Sequence, residues 1–287
     1  MTEVLHVLGH AVLETLKVLP FLFLTYLLME WLEHRAGARV EGAVAKAGKA
    51  GPFIGAVAGL LPQCGFSASA AGFFAGRVVT VGTLLAVFLA TSDEMIAVFL
   101  GQGLSLRVIL TVLLVKLVVA VLFGFAADLL LFKKQQGPRV KELCEEHGCH
   151  CEEGILRSAL HHTGEIVVFI LIINIILGAV LRFVEAERLA TALGSLPVLS
   201  QCVAALVGLV PNCAASVAVA TLYAQGVLSA GAMLAGLLTG TGTGLLVLFR
   251  ANKNHGENVR LVLALFLVGL LVGCLVDYTG LFALLGL

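Results

Sequence analysis

Residues 208–217 read "GLVPNCAASV". The stretch begins and ends as membrane helix does, yet Pro211, Asn212, Cys213 and Ser216 stand in its middle. Residues 59–68, "GLLPQCGFSA", repeat the pattern. Proline lacks a backbone donor and clashes with the turn before it, so each apolar segment is interrupted at its proline. Backbone released from a helix inside a bilayer must face protein or a water-filled cavity, or its polar groups go unsatisfied. Two interruptions of the same chemistry therefore predict a duplicated chain built around a polar site.

A shift of 149 residues lays one half on the other. Over 59–100 against 208–249 no gap is needed, and 13 of 42 positions are identical. Pro62/Pro211, Cys64/Cys213, Ser67/Ser216 and Gly82/Gly231 are among them, and Gln63 stands opposite Asn212. The same offset pairs Gly124 with Gly273 and Asp128 with Asp277. These two acids fall near span ends, where a charge needs no special role. Proline, cysteine and serine recurring in register are poorly explained by chance similarity of apolar helices. Internal duplication of this kind is typical of secondary transporters.

The composition sets the class. Hydrophobic residues make up 60% of the 287, charged residues 13%, and mean hydropathy is +1.05. Soluble domains do not have this balance, and several apolar runs reach the length that crosses a bilayer. The expected fold is an all-α polytopic membrane protein. The 18 basic and 18 acidic residues cancel, which suggests no nucleic-acid partner. The first residues, "MTEVLHVLGHAVLETLK", have no basic n-region and do not read as a cleaved signal peptide. Seven cysteines, four in apolar segments and three in one polar loop, do not describe a disulfide framework.

Basic residues decide how the halves are oriented. Segments 52–76 and 201–225 are read as re-entrant hairpins. Each half then has three spans, at about 11–33, 80–101 and 106–132, then 159–183, 230–250 and 259–285. Three is odd, so the repeats are inverted. With the central loop inside the cell, 13 basic residues lie inside and three outside. If the broken segments crossed instead, six would lie inside and ten outside, against the positive-inside tendency. The expected plan is a first transmembrane repeat over 1–138, a cytoplasmic Cys/His-rich linker over 139–158 and a second repeat over 159–287. Six spans and four hairpin limbs make about ten apolar segments in the inner membrane.

The second span of each half is interrupted as well. "LATSDEMIAV" sets Thr91, Ser92, Asp93 and Glu94 halfway along 80–101, and "LTGTGTGLL" sets Thr239, Thr241 and Thr243 among glycines at the matching place. Carboxylates at bilayer depth cost about 2.5–3.5 kcal/mol or more each and by default mark an ion or proton path. The alternative is that they pair with Lys116 in a structural ion bridge. The ion-binding set is therefore Gln63, Cys64, Ser67, Thr91, Ser92, Asp93, Glu94, Asn212, Cys213, Ser216, Thr239, Thr241 and Thr243. In the linker, Cys144, His147, Cys149, His150 and Cys151 crowd into eight positions. Thiolate and imidazole suit zinc, copper or nickel, although the spacing fits no standard zinc module. The cluster reads as a metal-collecting tether or as a linker that happens to be rich in these residues.

These stretches, "GLLPQCGFSA", "FLATSDE", "GLVPNCAASV" and "GLLTGTGTGLLVLFRANK", together with the Cys/His-rich loop, resemble the ArsP-related family of bacterial heavy-metal and manganese exporters. The resemblance runs over nearly the whole chain. It implies ten membrane helices and metal export. The hairpin-plus-broken-span plan also resembles elevator-type transporters such as the divalent-anion/sodium symporters, which carries no substrate information.

No phosphate-binding loop or hydrolase constellation occurs, so the chain reads as no enzyme, needing no cofactor and drawing on a gradient. The leading expectation is proton-coupled export of a divalent or heavy metal ion, manganese-like or softer, with metal, protons and lipid as partners and a homodimer left open. A transporter of a small anion or organic solute with cation coupling is the second. A membrane-anchored metal sensor is the third, though duplicated broken helices are out of place in an inert anchor.

Overall fold

A computed structural model describes residues 50–62, 64–92, 94–131, 155–182 and 197–284, with scattered helical positions between 9 and 27. The described residues form helices and turns only. In chain order these are α1 (Gly51–Gly59), α2 (Cys64–Ala75), α3 (Val81–Ala90), α4 (Met95–Gly101) and α5 (Leu106–Ala126), which ends in a π-helical turn, Ala127–Leu131. Then follow α6 (Ile155–Arg182), α7 (Pro197–Gly208), α8 (Cys213–Ala224), α9 (Ala230–Thr239), α10 (Gly244–Ala251), α11 (His255–Thr279) and the short α12 (Leu281–Leu284).

The boundaries obey the 149-residue offset. α2 and α8 match at both ends, as do α3 and α9, and α4/α10 and α5/α11 match at their first residues. The caps match too. Thr80 accepts a hydrogen bond from the Thr83 N–H, and at the same place in the other half Ser229 accepts one from Ala232. Ser105 and Asn254 cap α5 and α11 in the same way. Each cap satisfies one of the donors that a helix start leaves open.

Val81–Gly101, Leu106–Leu130, Ala230–Ala251 and His255–Thr279 are long and apolar enough to cross a membrane. They sort into two positions. The interrupted pair is central: 65% of the Val81–Gly101 window and 94% of the Ala230–Ala251 window are buried, against 33% and 39% for the other two. The peripheral pair shows an apolar ridge at every fourth residue. On α5 it is Leu110, Leu114, Val118 and Leu122, and on α11 it is Val259, Leu263, Leu267 and Leu271. Ridges of this size suit lipid better than water.

Each central span packs on its own peripheral helix through glycine. A Cβ on Gly82 would collide with the Gly124 carbonyl and the Asp128 carboxylate, and one on Gly231 with the Gly273 carbonyl and Asp277. Small residues at such crossings let two backbones touch. The acids seal the same corner. Asp128 accepts from Thr80 Oγ1 at 2.7 Å and from the Gly82 N–H at 2.7 Å. Asp277 accepts from Ser229 Oγ at 2.6 Å, the Gly231 N–H at 2.8 Å and Gln201 Nε2 at 2.5 Å. The view that Asp128 and Asp277 need no special role is therefore corrected: each clamps the start of a central span to the end of the following helix. Replacing Asp277 by Ala leaves three donors unanswered, and bonds to a charged group contribute about 1.5–3 kcal/mol each. The expected loss is about 3 kcal/mol in detergent unfolding, with Asp277→Asn recovering part of it.

Between the halves the packing is exchanged. α1 lies on α3 and α7 on α9, each within its own half. α2 and α8 touch α3 and α9 of their own halves but also reach across, α2 chiefly onto α10 and α8 onto α4. Phe99 of α4 meets Tyr223 of α8 with ring centroids 5.8 Å apart. Arg77, just past α2, adds a bidentate ion pair to Glu257 of α11 at 2.8 and 2.7 Å. Its backbone is left-handed, with φ 56°, and the equivalent residue Gly226 is also left-handed, with φ 74°. Glycine takes that conformation at no steric cost. Arginine bears a small cost, and the ion pair and the Phe74 ring 5.2 Å beneath its guanidinium hold it there.

Candidate functional site at the crossing of two broken spans

The interruptions in the central spans lie where the Thr/Ser/acid and Thr/Gly stretches predict them. α3 stops at Ala90 and α4 starts at Met95, while α9 stops at Thr239 and α10 starts at Gly244. Thr91 leaves the first helix with φ −49° and ψ 122°, and Gly240 leaves the second with ψ 102°. Of the chain between, Thr91, Ser92, Thr241 and Thr243 are all at most 4% exposed. In the second break Gly242 is left-handed, with φ 54°.

Helix ends release carbonyls, and here one side chain collects them from both halves. Lys116 of α5 is fully buried. Its Nζ donates a short hydrogen bond to the Thr91 carbonyl and a 2.7 Å bond to the Leu237 carbonyl. One ammonium thus caps the C-terminal ends of α3 and α9, where the helix dipoles are negative. The sequence raised Lys116 only as a partner for the acids. Its contact with backbone of the opposite half has no sequence signal beyond a lysine at mid-span.

The candidate residues divide into several groups. Thr91 Oγ1 donates to the Val87 carbonyl and Ser92 Oγ to that of Ala90, so both hydroxyls turn back on the first break. Thr239 Oγ1 donates to the Ala205 carbonyl at 2.8 Å and ties α9 to α7. The Thr241 and Thr243 hydroxyls are buried and have no hydrogen-bond partner. Thr243 is the N-cap of α10 but its side chain does not cap; the Gly244 N–H donates to the Thr241 carbonyl at 3.1 Å. Glu94 holds the equivalent N-cap position of α4 and is half-buried.

The proline turns sit beside these breaks. Asn212 caps α8, its Oδ1 accepting from the Ala214 N–H at 2.7 Å, and Cys213 and Ser216 are buried behind it. Cys64 opens α2. A Cβ on Gly240 would lie 2.9 Å from Ser216 Oγ, and one on Gly244 would lie 3.0 Å from Ser67 Oγ. The serines of the repeated Pro-x-Cys-x-x-Ser element therefore both stand at the second break. Gln63, Asp93, Cys144, His147, Cys149, His150 and Cys151 lie outside the described residues. Among the described residues no three His, Cys, Asp or Glu side chains cluster.

Buried carbonyl ends, an ammonium, a carboxylate at a helix start and unpartnered hydroxyls form a polar centre inside an apolar bundle. Neither a family model, nor a curated protein, nor a solved structure matches the chain.

Proposed function

We propose that this protein is a secondary-active transporter of a small ion, most simply an exporter of a divalent or heavy metal, manganese-like, in exchange for protons. The observation that carries this is Lys116 joining the two broken spans. An inert anchor has no use for two interrupted central helices held together by a buried charge. The metal would be held by Asp93 and Glu94 at the first break, with Gln63, Asn212, Cys64 and Cys213 from the proline turns. The cysteines would tilt preference toward softer ions. The linker ligands Cys144, His147, Cys149, His150 and Cys151 would gather metal on the cytoplasmic side. The resemblance to the ArsP-related exporters points the same way.

The arrangement we propose is two inverted repeats of three spans and one hairpin each, about ten segments in the inner membrane. Several contacts support it. Arg77 and Glu257 pair, and that plan puts both on the cytoplasmic side. Thr80 with Asp128, and Ser229 with Asp277, also join positions that it assigns to one side each.

A second function, transport of a small anion or organic solute, is favoured by the start of α10, which its N-cap side chain does not cap, and the unpartnered Thr241 and Thr243 hydroxyls. Helix N-termini attract negative charge. Proteoliposomes separate the two. Manganese, zinc, cobalt and nickel are presented in turn, with a pH dye inside. Metal-driven proton movement out of register with a protein-free control is expected for at least one ion. No proton movement with any metal, together with a response to a small anion, would put the second function first.

A further inference from the structure

We propose that the Lys116 ammonium is this protein's own monovalent cation, seated where other transporters built from broken helices place a coupling ion, and that transport therefore requires neither sodium nor potassium. This deepens the transport function proposed above and partly rests on it. Half-helix C-terminal ends and unwound carbonyls are what coordinate sodium or protons in such folds. Here those groups are present and already occupied. The Thr91 carbonyl is freed because the chain turns extended at Thr91. The Leu237 carbonyl is within the last turn of α9, whose continuation is cut at Gly240. Both receive the same Nζ.

The seat belongs to the pair of halves and to neither alone. At the position equivalent to Lys116 the second half has Leu265, also fully buried. One cation thus serves two helix ends that the pseudo-symmetry would otherwise leave with two empty seats or two charges. A lysine side chain reaching from a third helix is a permanent occupant, since its stem is anchored in α5 beside Val112, Val119 and Ala120 on the buried face. Unlike sodium, the tethered side chain cannot leave the seat.

The test empties the seat. Full-length wild type, Lys116→Ala and Lys116→Met are purified in sodium, potassium, methylammonium or N-methylglucamine chloride. The wild type should have one unfolding midpoint in all four salts. Lys116→Ala should be weakened in N-methylglucamine, which is too bulky to enter. Methylammonium or another small cation should raise its midpoint by about 5 °C at saturation. Lys116→Met, which fills the stem space without the charge, should stay low in every salt. If neither variant shows a recovery that depends on cation size, or if the wild type itself needs sodium for stability or transport, the proposal is overturned. Transport is read separately. Cation-dependent recovery of the midpoint with no metal flux in any protein would retire the transport function and leave the seat standing.

Discussion

Gly231→Ala is expected to be among the most damaging single methyl groups that can be added to this protein, with Gly82→Ala beside it. The added carbon would overlap the Gly273 carbonyl and the Asp277 carboxylate, and at Gly82 the Gly124 carbonyl and Asp128. Neither obstacle is the end of a flexible side chain. Two of the four groups are backbone carbonyls, and the acids are pinned by two or three donors each. Relief therefore requires the central span and its peripheral helix to move apart. Overpacking commonly costs about 1–3 kcal/mol, and separation would also stretch the clamp bonds, so about 3 kcal/mol or more is expected. Gly164 supplies the control. Nothing lies within 4 Å of a Cβ there. A Gly→Ala change at such a helical site gains up to about 1 kcal/mol. Unfolding of the three variants in detergent should rank Gly164→Ala above wild type, and both crossing variants far below it. Equal midpoints for Gly231→Ala and wild type would mean that the two helices do not touch at this crossing.

Neutralising the acids of the first break is expected to have the largest effect on function. Asp93→Asn and Glu94→Gln keep shape and remove charge. If these groups exchange metal for protons, at least one variant should lower metal-driven proton movement about 100-fold or more, beyond the 10–100-fold typical for losing a supporting partner of a metal ligand. Metal and proton compete for the same oxygens, so in the wild type apparent metal affinity should fall as pH falls. The sign is informative. An anion held at the α10 helix start would keep or gain affinity as protons accumulate. Flux in proteoliposomes across a pH series, with unfolding midpoints to show that both variants remain folded, decides between the two. Normal metal flux with normal pH dependence in both variants would end the metal hypothesis.

Much of the frame is legible in the chain itself. Pro62 and Pro211 locate the two turns because proline ends the incoming helix whatever surrounds it. The 149-residue offset sets the order and the first residues of eight helices, since caps such as Thr80 and Ser229 act within one turn of their own helix. The Thr/Gly and Thr/Ser/acid stretches announce both breaks for the same local reason. Apolar length and composition are likewise properties of a segment, and they identify helices that can cross a membrane. What only the tertiary structure decides is partnership. Asp128 and Asp277 look idle until Gly82 and Gly231 are brought against them. α2 and α8 carry no mark saying that each packs on the other half. Lys116 reads as a lone mid-span lysine until two carbonyls, 25 and 121 residues away, converge on it. Local rules act through neighbouring backbone and survive in a string of residues. Helix partners are chosen by shape and by freed polar groups on surfaces remote in sequence, and these exist only once the helices meet.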